Sequence, residues 1–155
     1  ENRGAIPYDL RPLMGDWIFG CDICQDICPV NDKIDISQNT TFVEKITNFL
    51  DLVGILYMSQ EEFSTRFSKS PIKRTKLPGL QRNACVALGN TKQKEAIPAL
   101  IDTLKNNQSE LVRGHSAWAL GEIDTPECQN ALKISLEYEN DPFVLGEINR
   151  ALPVK

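Results

Sequence analysis

Three cysteines near the start of the chain are the residues best suited to chemistry. They are Cys21, Cys24 and Cys28, with a proline directly after the last, in the order C-x2-C-x3-C-P. Thiolates at such short spacing bind soft metals or pair as disulfides. Cys85 and Cys128 lie in helical patterns, and we interpret them as small buried hydrophobic residues. An odd total of five cysteines, unevenly spaced, makes a disulfide framework a poor explanation.

The spacing of the three clustered cysteines matches the end of the bacterial ferredoxin run, C-x2-C-x2-C-x3-C-P, whose last cysteine serves the second of two [4Fe–4S] clusters. The first cysteine of that run would fall at Ile18. On this interpretation Cys21 and Cys24 bind one cluster and Cys28 binds the other. Each cluster needs about four thiolates, so we expect the remaining ligands upstream of Glu1 or on another chain. The chain does not begin with Met, and we interpret it as part of a longer protein.

A zinc site and a disulfide are the two alternatives to iron–sulfur ligation by these cysteines. A zinc site would need a fourth ligand, and the only histidine, His115, lies in a repeat helix, where we expect a structural hydrogen-bonding residue. A disulfide between neighbouring cysteines of this segment would be an oxidation product of the isolated chain. The spacing alone leaves both alternatives open.

Charge is unevenly distributed along the 155 residues, whose net charge is −4. From Phe63 to Lys94 there are eight basic residues and no acidic one, and the rest of the chain carries nine basic and 21 acidic residues. Such separation favours one face built for an anion, although a merely solvated surface is the alternative. No apolar run is long enough for a membrane span, and no secretory signal opens the sequence.

A repeat with an offset of 32 residues begins at Leu80. Residues 80–89 align with 112–121 and with 144–153, and each copy contains Ala-Leu, followed by Gly in the first two. We predict two helices per unit. We expect Gly89 and Gly121 each to end the first helix of the unit that contains it. The pattern resembles short HEAT-like repeats, in which helix pairs must stack to bury their apolar faces.

The predicted fold is therefore all-α: HEAT-like α-α superhelical repeats in residues 41–155, preceded by a partial ferredoxin-like iron–sulfur segment in residues 1–40. Residues 41–58 have helical periodicity, Ser59 and Glu62 form a capping-box pattern, and 70–79 are predicted to be a basic loop. Without its clusters, we expect the segment 1–40 to be loosely held.

Taken in order, several motifs resemble the epoxyqueuosine reductase family over essentially the whole chain. They are Gly4–Pro7, Leu10–Gly15, Ile18–Pro29, Phe63–Phe67, Ser70–Pro71, Arg74–Lys76, Gly79–Ala84 and Ala87–Asn90. Ferredoxin-type cysteines followed by a HEAT-like tail form a specific combination.

This resemblance implies a cytoplasmic, monomeric enzyme, not bound to membranes, that reduces epoxyqueuosine to queuosine at the tRNA wobble position. Its cofactors would be cobalamin and two [4Fe–4S] clusters, supplied with electrons by a reductant protein or a small-molecule donor. Cys21 and Cys24 match ligands of the cluster nearer the cobalamin, Cys28 matches a ligand of the other, and Asp22 lies where the family approaches the cobalamin. The family's general acid lies in a part of the enzyme outside this chain. We therefore expect this chain alone to be inactive.

The basic stretch would then bind the anticodon stem-loop, since phosphate contacts position RNA without reading its sequence. The predicted tRNA-binding residues are Arg3, Lys73, Arg74, Lys76, Arg82 and Asn83. Arg113 either continues a basic ridge along the repeats or is a structural residue at a helix start. Two further classes of protein stay open: a HEAT-like adaptor with a zinc or vacant cysteine site, and a cobalamin and iron–sulfur electron-transfer protein that does not act on RNA.

Overall fold

The computed structural model describes residues 2–31 and 51–152, and within these ranges it contains eight α-helices and no strand. The predicted all-α class is confirmed. None of these helices combines the length and the apolar character needed to cross a membrane. The helices are α1 (Ile23–Asp26), α2 (Leu52–Tyr57), α3 (Gln60–Arg66), α4 (Lys76–Thr91), α5 (Ile97–Asn106), α6 (Glu110–Ile123), α7 (Pro126–Ser135) and α8 (Pro142–Ala151).

The repeat helices form two layers. Helix α6 packs between α4 and α8 in an inner layer, while α5 and α7 pack beside α6 and against each other in an outer layer. The pairs α4–α5 and α6–α7 confirm the predicted two helices per 32-residue unit, and α8 begins a third unit. Leucines at the aligned positions, Leu88 and Leu120, are fully buried between the layers. The stacked apolar faces therefore supply the core that a single pair could not.

Helix starts follow the local sequence closely. Ser59 and Glu62 form the predicted capping box, in which the Ser59 hydroxyl accepts from the Glu62 N–H and the Glu62 carboxylate accepts from the Ser59 N–H. Asp141 caps α8 by accepting from the N–H groups of Phe143 and Val144. Of the predicted helical stretch 41–58, Leu52–Tyr57 is helical and residues 41–50 lie outside the described residues.

Two predictions about helix ends were wrong. The basic segment 70–79 is not a loop: Pro71–Thr75 forms a 3-10 turn and α4 begins at Lys76. Gly89 does not end α4, which continues to Thr91 and is closed by Lys92 in the left-handed conformation, with φ of 50°. Gly121 likewise does not end α6, which continues to Ile123 and is closed by Asp124 at φ of 50°.

The glycines of the repeat instead allow the inner helices to approach each other. A Cβ atom at Gly89 would lie 2.8 Å from Cζ3 of Trp118 and 3.0 Å from Cα of Ala119. A Cβ atom at Gly121 would lie 2.6 Å from Cβ of Ala151. A side chain at either position would push neighbouring inner helices apart, because a close-packed core has no room for it.

The N-terminal segment, residues 2–20, lies against the inner layer. Ile6 and Ile18 are buried in the same core as the repeat helices. The Arg11 side chain, 2% exposed, has its guanidinium 5.5 Å from the centre of the Trp118 ring. The expectation that this part of the chain is loosely held was therefore wrong for residues 2–18.

A row of polar side chains on the inner helices holds this segment. Asn83, His115 and Glu147 occupy the same position of three successive 32-residue units, and we call them the polar row. Asn83 Nδ2 donates to the Ile18 carbonyl at 2.7 Å, and His115 Nε2 accepts from the Ile6 N–H at 3.1 Å. These contacts fix the segment at its two buried isoleucines.

The third member of the polar row makes a buried ion pair. The Glu147 carboxylate accepts from both terminal nitrogens of Arg11, at 2.6 and 2.7 Å, and its side chain is 3% exposed. A bidentate pair of this kind is geometrically specific, and removing one partner from a buried pair typically costs about 3–5 kcal/mol. On α4, Asn90 adds bonds to the carbonyls of Arg11 and Gly15, at 2.8 and 2.7 Å.

We predict opposite effects on stability for two glycine-to-alanine substitutions in helices. Gly89→Ala should lower the free energy of unfolding by about 1–3 kcal/mol, because the new methyl group meets Trp118 and the Ala119 backbone. Gly146→Ala should raise it by about 0.5–1 kcal/mol, because Gly146 is exposed within α8 and nothing lies within 4 Å of the position that its Cβ atom would take. Urea unfolding followed by circular dichroism measures both, and stabilisation by Gly89→Ala would contradict the close approach of α4 and α6.

Candidate metal centre and nucleic-acid interface

The three clustered cysteines lie on and around the four-residue helix α1. Cys21 precedes it, Cys24 lies within it, and Cys28 follows it. Cys21 and Cys24 are exposed and Cys28 is half-buried, and all three are free thiols. No disulfide joins these three cysteines. Within residues 2–31 and 51–152, no three His, Cys, Asp or Glu side chains converge into a preformed metal site.

The remaining cysteines are inside the repeats, as predicted. Cys85 and Cys128 are fully buried in α4 and α7. Burial raises the pKa of the Cys85 thiol, which keeps it protonated. Cys128 Sγ accepts from the Thr125 hydroxyl at 3.1 Å. Both thiols therefore pack as small core residues.

The backbone just before the cysteines is held by the polar row. Asn83 fixes the Ile18 carbonyl, and Gly20 then turns the chain with a φ of 71°. Asp22, the residue predicted to approach cobalamin, is exposed at the N-terminus of α1 and its carboxylate makes no capping bond. The Asp22 carbonyl accepts instead from Gln25 N at 2.7 Å.

Four of the six predicted tRNA-binding residues line one cavity of about 230 Å³, which we call the basic cleft. It lies between the N-terminal segment, the turn before α4 and the first half of α4. Its floor reaches Gly20, directly before Cys21. The fold thus brings the predicted anion-binding residues beside the cysteine segment. The cleft is lined by Asn2, Arg3, Phe19, Gly20, Arg74, Thr75, Arg82 and Asn83.

The two remaining predicted residues, Lys73 and Lys76, are exposed on the same turn as Arg74. Lys76 has φ of 58° and ψ of 163°, a conformation that residues other than glycine rarely adopt. Such a conformation costs on the order of 1–3 kcal/mol, and strained residues of this kind concentrate at functional sites. The Thr75 hydroxyl braces the turn by donating to the Ile72 carbonyl at 2.7 Å.

Arg82 and Asn83, unlike the exposed Lys73, Arg74 and Lys76, are buried and hydrogen-bonded within the protein. Arg82 is 6% exposed, and its Nη1 donates to the carbonyl oxygens of Asn2, at 3.0 Å, and Gly4. Its Nε and Nη2 donate to Asn83 Oδ1, at 3.0 and 2.9 Å. Burial lowers the pKa of the Arg82 guanidinium. These two residues form the wall of the basic cleft and tie it to the segment that carries the cysteines.

A basic ridge along the repeats does not extend to Arg113. Its guanidinium pairs with both carboxylate oxygens of Glu139, at 2.8 and 3.1 Å, and it also donates to the Asn107 carbonyl. This ion pair raises the pKa of Arg113. Of the two roles considered for Arg113, these contacts support the structural one. Lys92 and Lys94 also lie apart, since they follow the far end of α4, about 24 Å along the helix axis from Lys76.

His115 is a structural residue, as predicted, and not a metal ligand. It is fully buried, and its Nδ1 lies 2.7 Å from the Leu111 carbonyl. Burial, assisted by the charges of Arg11 and Arg82, lowers the pKa of His115 to about 3. The ring is therefore neutral near pH 7, with Nδ1–H donating to Leu111 and Nε2 accepting from Ile6.

Sequence reasoning missed Arg11, Glu147 and Phe19. The signal for Glu147 was present, because it aligns with Asn83 and His115 at the 32-residue offset. A polar residue at one repeated position on a buried helix face indicates a shared partner. Nothing in the sequence identified that partner as the N-terminal segment, since the contact from Arg11 to Glu147 spans 136 residues.

Comparison with known proteins gives two consistent results. A profile described as HEAT repeats matches residues 73–153, just over half of the chain. An epoxyqueuosine reductase of Bacillus cereus is 36% identical over 155 residues, which is 98% of this chain and 40% of that protein. The chain thus spans about two fifths of the length of such curated relatives.

Solved structures agree with the sequence comparison. A crystal structure of epoxyqueuosine reductase with an epoxyqueuosine-modified tRNA-Tyr stem loop superposes with a TM-score of 0.83 at 28% identity, over 97% of this chain and 40% of that one. Epoxyqueuosine reductase from Bacillus subtilis gives a TM-score of 0.82 at 27% identity, over 97% of this chain and 41% of that one. The chain therefore belongs to the HEAT-repeat family and, over nearly its whole length, matches part of the epoxyqueuosine reductases in both sequence and fold.

Proposed function

We propose that this chain is part of an enzyme that reduces epoxyqueuosine to queuosine in tRNA, and that it contributes cluster ligands and a tRNA-docking surface. The observation that carries the proposal is the position of the basic cleft, whose lining includes Gly20, the residue directly before Cys21. Cysteines that could bind a redox cluster lie next in sequence to a cleft that could bind an anion, and this combination suits a redox enzyme with a nucleic-acid substrate. The likeness to epoxyqueuosine reductases supports the choice of substrate.

The donor set of the cysteine segment fits iron–sulfur chemistry. Three unpaired thiols, two of them exposed, stand at the spacing of a ferredoxin run that serves two [4Fe–4S] clusters. We infer that Cys21 and Cys24 bind one cluster and Cys28 binds the other, with the remaining ligands supplied from outside the described residues. Such clusters would carry electrons to the cobalamin of the complete enzyme, and Asp22 would face that cofactor.

The residues of this chain act by holding and orienting. Arg3, Lys73, Arg74 and Lys76 would neutralise phosphates of the anticodon stem-loop, which positions RNA without reading its sequence. Arg82 and Asn83 would keep the cleft wall in register with the cysteine segment through their bonds to Asn2, Gly4 and Ile18. The general acid and the contact with the electron donor, a protein or a small molecule, would lie elsewhere in the enzyme. We therefore expect the chain alone to be inactive.

The docking surface predicts a change in the salt dependence of tRNA binding. In the complete enzyme, replacing Lys73, Arg74 and Lys76 together by Glu should weaken binding of the anticodon stem-loop by about tenfold or more at low salt. It should also flatten the plot of log affinity against log salt concentration by about 2, because up to three phosphate contacts are lost. Fluorescence anisotropy over a salt series measures both quantities.

A matched control variant separates the loss of the docking surface from the change in net charge. Lys94, Lys105 and Lys133 are exposed and lie outside the basic cleft, and replacing them by Glu changes the net charge equally. This variant should keep nearly the parental salt slope. Equal losses in the two triple variants, or tRNA affinity that does not respond to salt, would overturn the docking proposal.

The cluster assignment predicts which cysteines determine metal content. In anaerobically purified complete enzyme, replacing Cys21 and Cys24 together by Ser should remove about half of the roughly eight iron atoms expected for two [4Fe–4S] clusters. Replacing Cys85 and Cys128 by Ala should leave iron and acid-labile sulfide unchanged, because both thiols are buried in the repeats. Stoichiometric zinc without iron or sulfide in the unsubstituted enzyme would favour the zinc-binding adaptor instead.

A further inference from the structure

An aromatic ring lies among the cationic groups of the basic cleft. Phe19 lines the cleft together with Arg3 and Arg74, and its side chain is 38% exposed. A cleft lined by one aromatic ring and several guanidinium groups suits a ligand that is both aromatic and anionic.

The backbone directly before Phe19 is fixed by a contact with helix α4. The preceding residue, Ile18, is 5% exposed and its carbonyl accepts from Asn83 Nδ2 at 2.7 Å. Ile18 is thus anchored in the core, while Phe19 lines the basic cleft. Gly20 follows with a φ of 71°, and nothing beyond its chain neighbours lies within 4 Å of the position its Cβ would take.

We propose that Phe19 is a stacking platform for an unpaired nucleobase of the bound RNA, with Arg3 and Arg74 on the adjoining phosphates. The inference rests on the proposed tRNA docking and adds a contact that the charged residues cannot make. Single-stranded RNA is commonly bound by aromatic side chains that stack on splayed bases beside cationic groups. A duplex cannot use such a platform, because its bases stay stacked on each other.

A neighbouring cavity provides the natural control. Trp17, also 38% exposed and two residues from Phe19, lines an adjoining cavity of about 270 Å³. This cavity shares Phe19 with the basic cleft but does not include Arg3 or Arg74. The two rings are thus equally exposed and two residues apart, but only Phe19 also lines the cavity that contains Arg3 and Arg74. A protein partner that covers this apolar surface would need both rings, whereas a stacked base needs only Phe19.

The test compares Phe19→Ala, Phe19→Leu and Phe19→Trp with Trp17→Ala in the complete enzyme. The probes are an anticodon stem-loop RNA and a blunt RNA duplex of equal length, each measured over a salt series. Phe19→Ala and Phe19→Leu should each weaken stem-loop binding by about tenfold with an unchanged salt slope, because stacking releases no counterions. Phe19→Trp should retain binding, Trp17→Ala should change it by less than about twofold, and duplex binding should be unaffected.

Three contrary outcomes overturn the inference in distinguishable ways. Stem-loop affinity that depends on salt but is unchanged in both Phe19→Ala and Phe19→Leu refutes stacking and leaves the docking proposal standing. Equal losses in Phe19→Ala and Trp17→Ala, for both RNAs, indicate that the rings support the fold or a protein contact. Thermal unfolding of each variant identifies a folding defect. If Phe19→Ala does not fold, Phe19→Leu still tests stacking, because leucine keeps the apolar volume without the ring. Full stem-loop binding by a folded Phe19→Leu variant would then refute the platform.

Discussion

The buried ion pair between Arg11 and Glu147 and its two neighbours in the polar row are the contacts on which the rest of the structure depends. Each inner helix offers one polar side chain at the same repeat position, and each meets a different partner on the N-terminal segment: a carbonyl, an N–H and a guanidinium. Because these groups are buried, leaving any of them unpaired would be costly. The repeats therefore hold the segment in one register, and that register sets where the cysteines begin.

The close spacing of the inner helices makes this arrangement possible. Gly89 and Gly121 let α4, α6 and α8 lie near enough for the polar row to face one short segment. The same helix α4 carries Arg82 and Asn83 in its first half and follows the turn that presents Arg74. One helix thus supports the wall of the basic cleft and the backbone leading to Cys21. The basic cleft and the cysteine segment are therefore positioned by the same helix.

Much of the fold could be predicted from local sequence, and less of the site. The 32-residue repeat, the capping box at Ser59 and the buried Cys85 and Cys128 follow from periodicity and side-chain chemistry. The glycine after Ala-Leu was misjudged because a left-handed cap and a close helix contact both favour glycine, and only the packing of Trp118 distinguishes them. The charge of Arg82 led to the prediction that it contacts RNA, whereas its burial depends on Asn2 and Gly4, about 80 positions away. Such contacts are tertiary, and one sequence does not specify them.

The amide hydrogen of Ile6 tests most directly whether the repeats hold the N-terminal segment. It is a buried donor whose acceptor is His115 Nε2, at 3.1 Å. In native-state hydrogen exchange, it should exchange only through global unfolding, with the same free energy of opening as core amides of α6 such as that of Ala119. Exchange of the Ile6 amide at the rate of an unprotected amide, while α6 stays protected, would contradict the account, because the segment would then detach from an intact repeat stack.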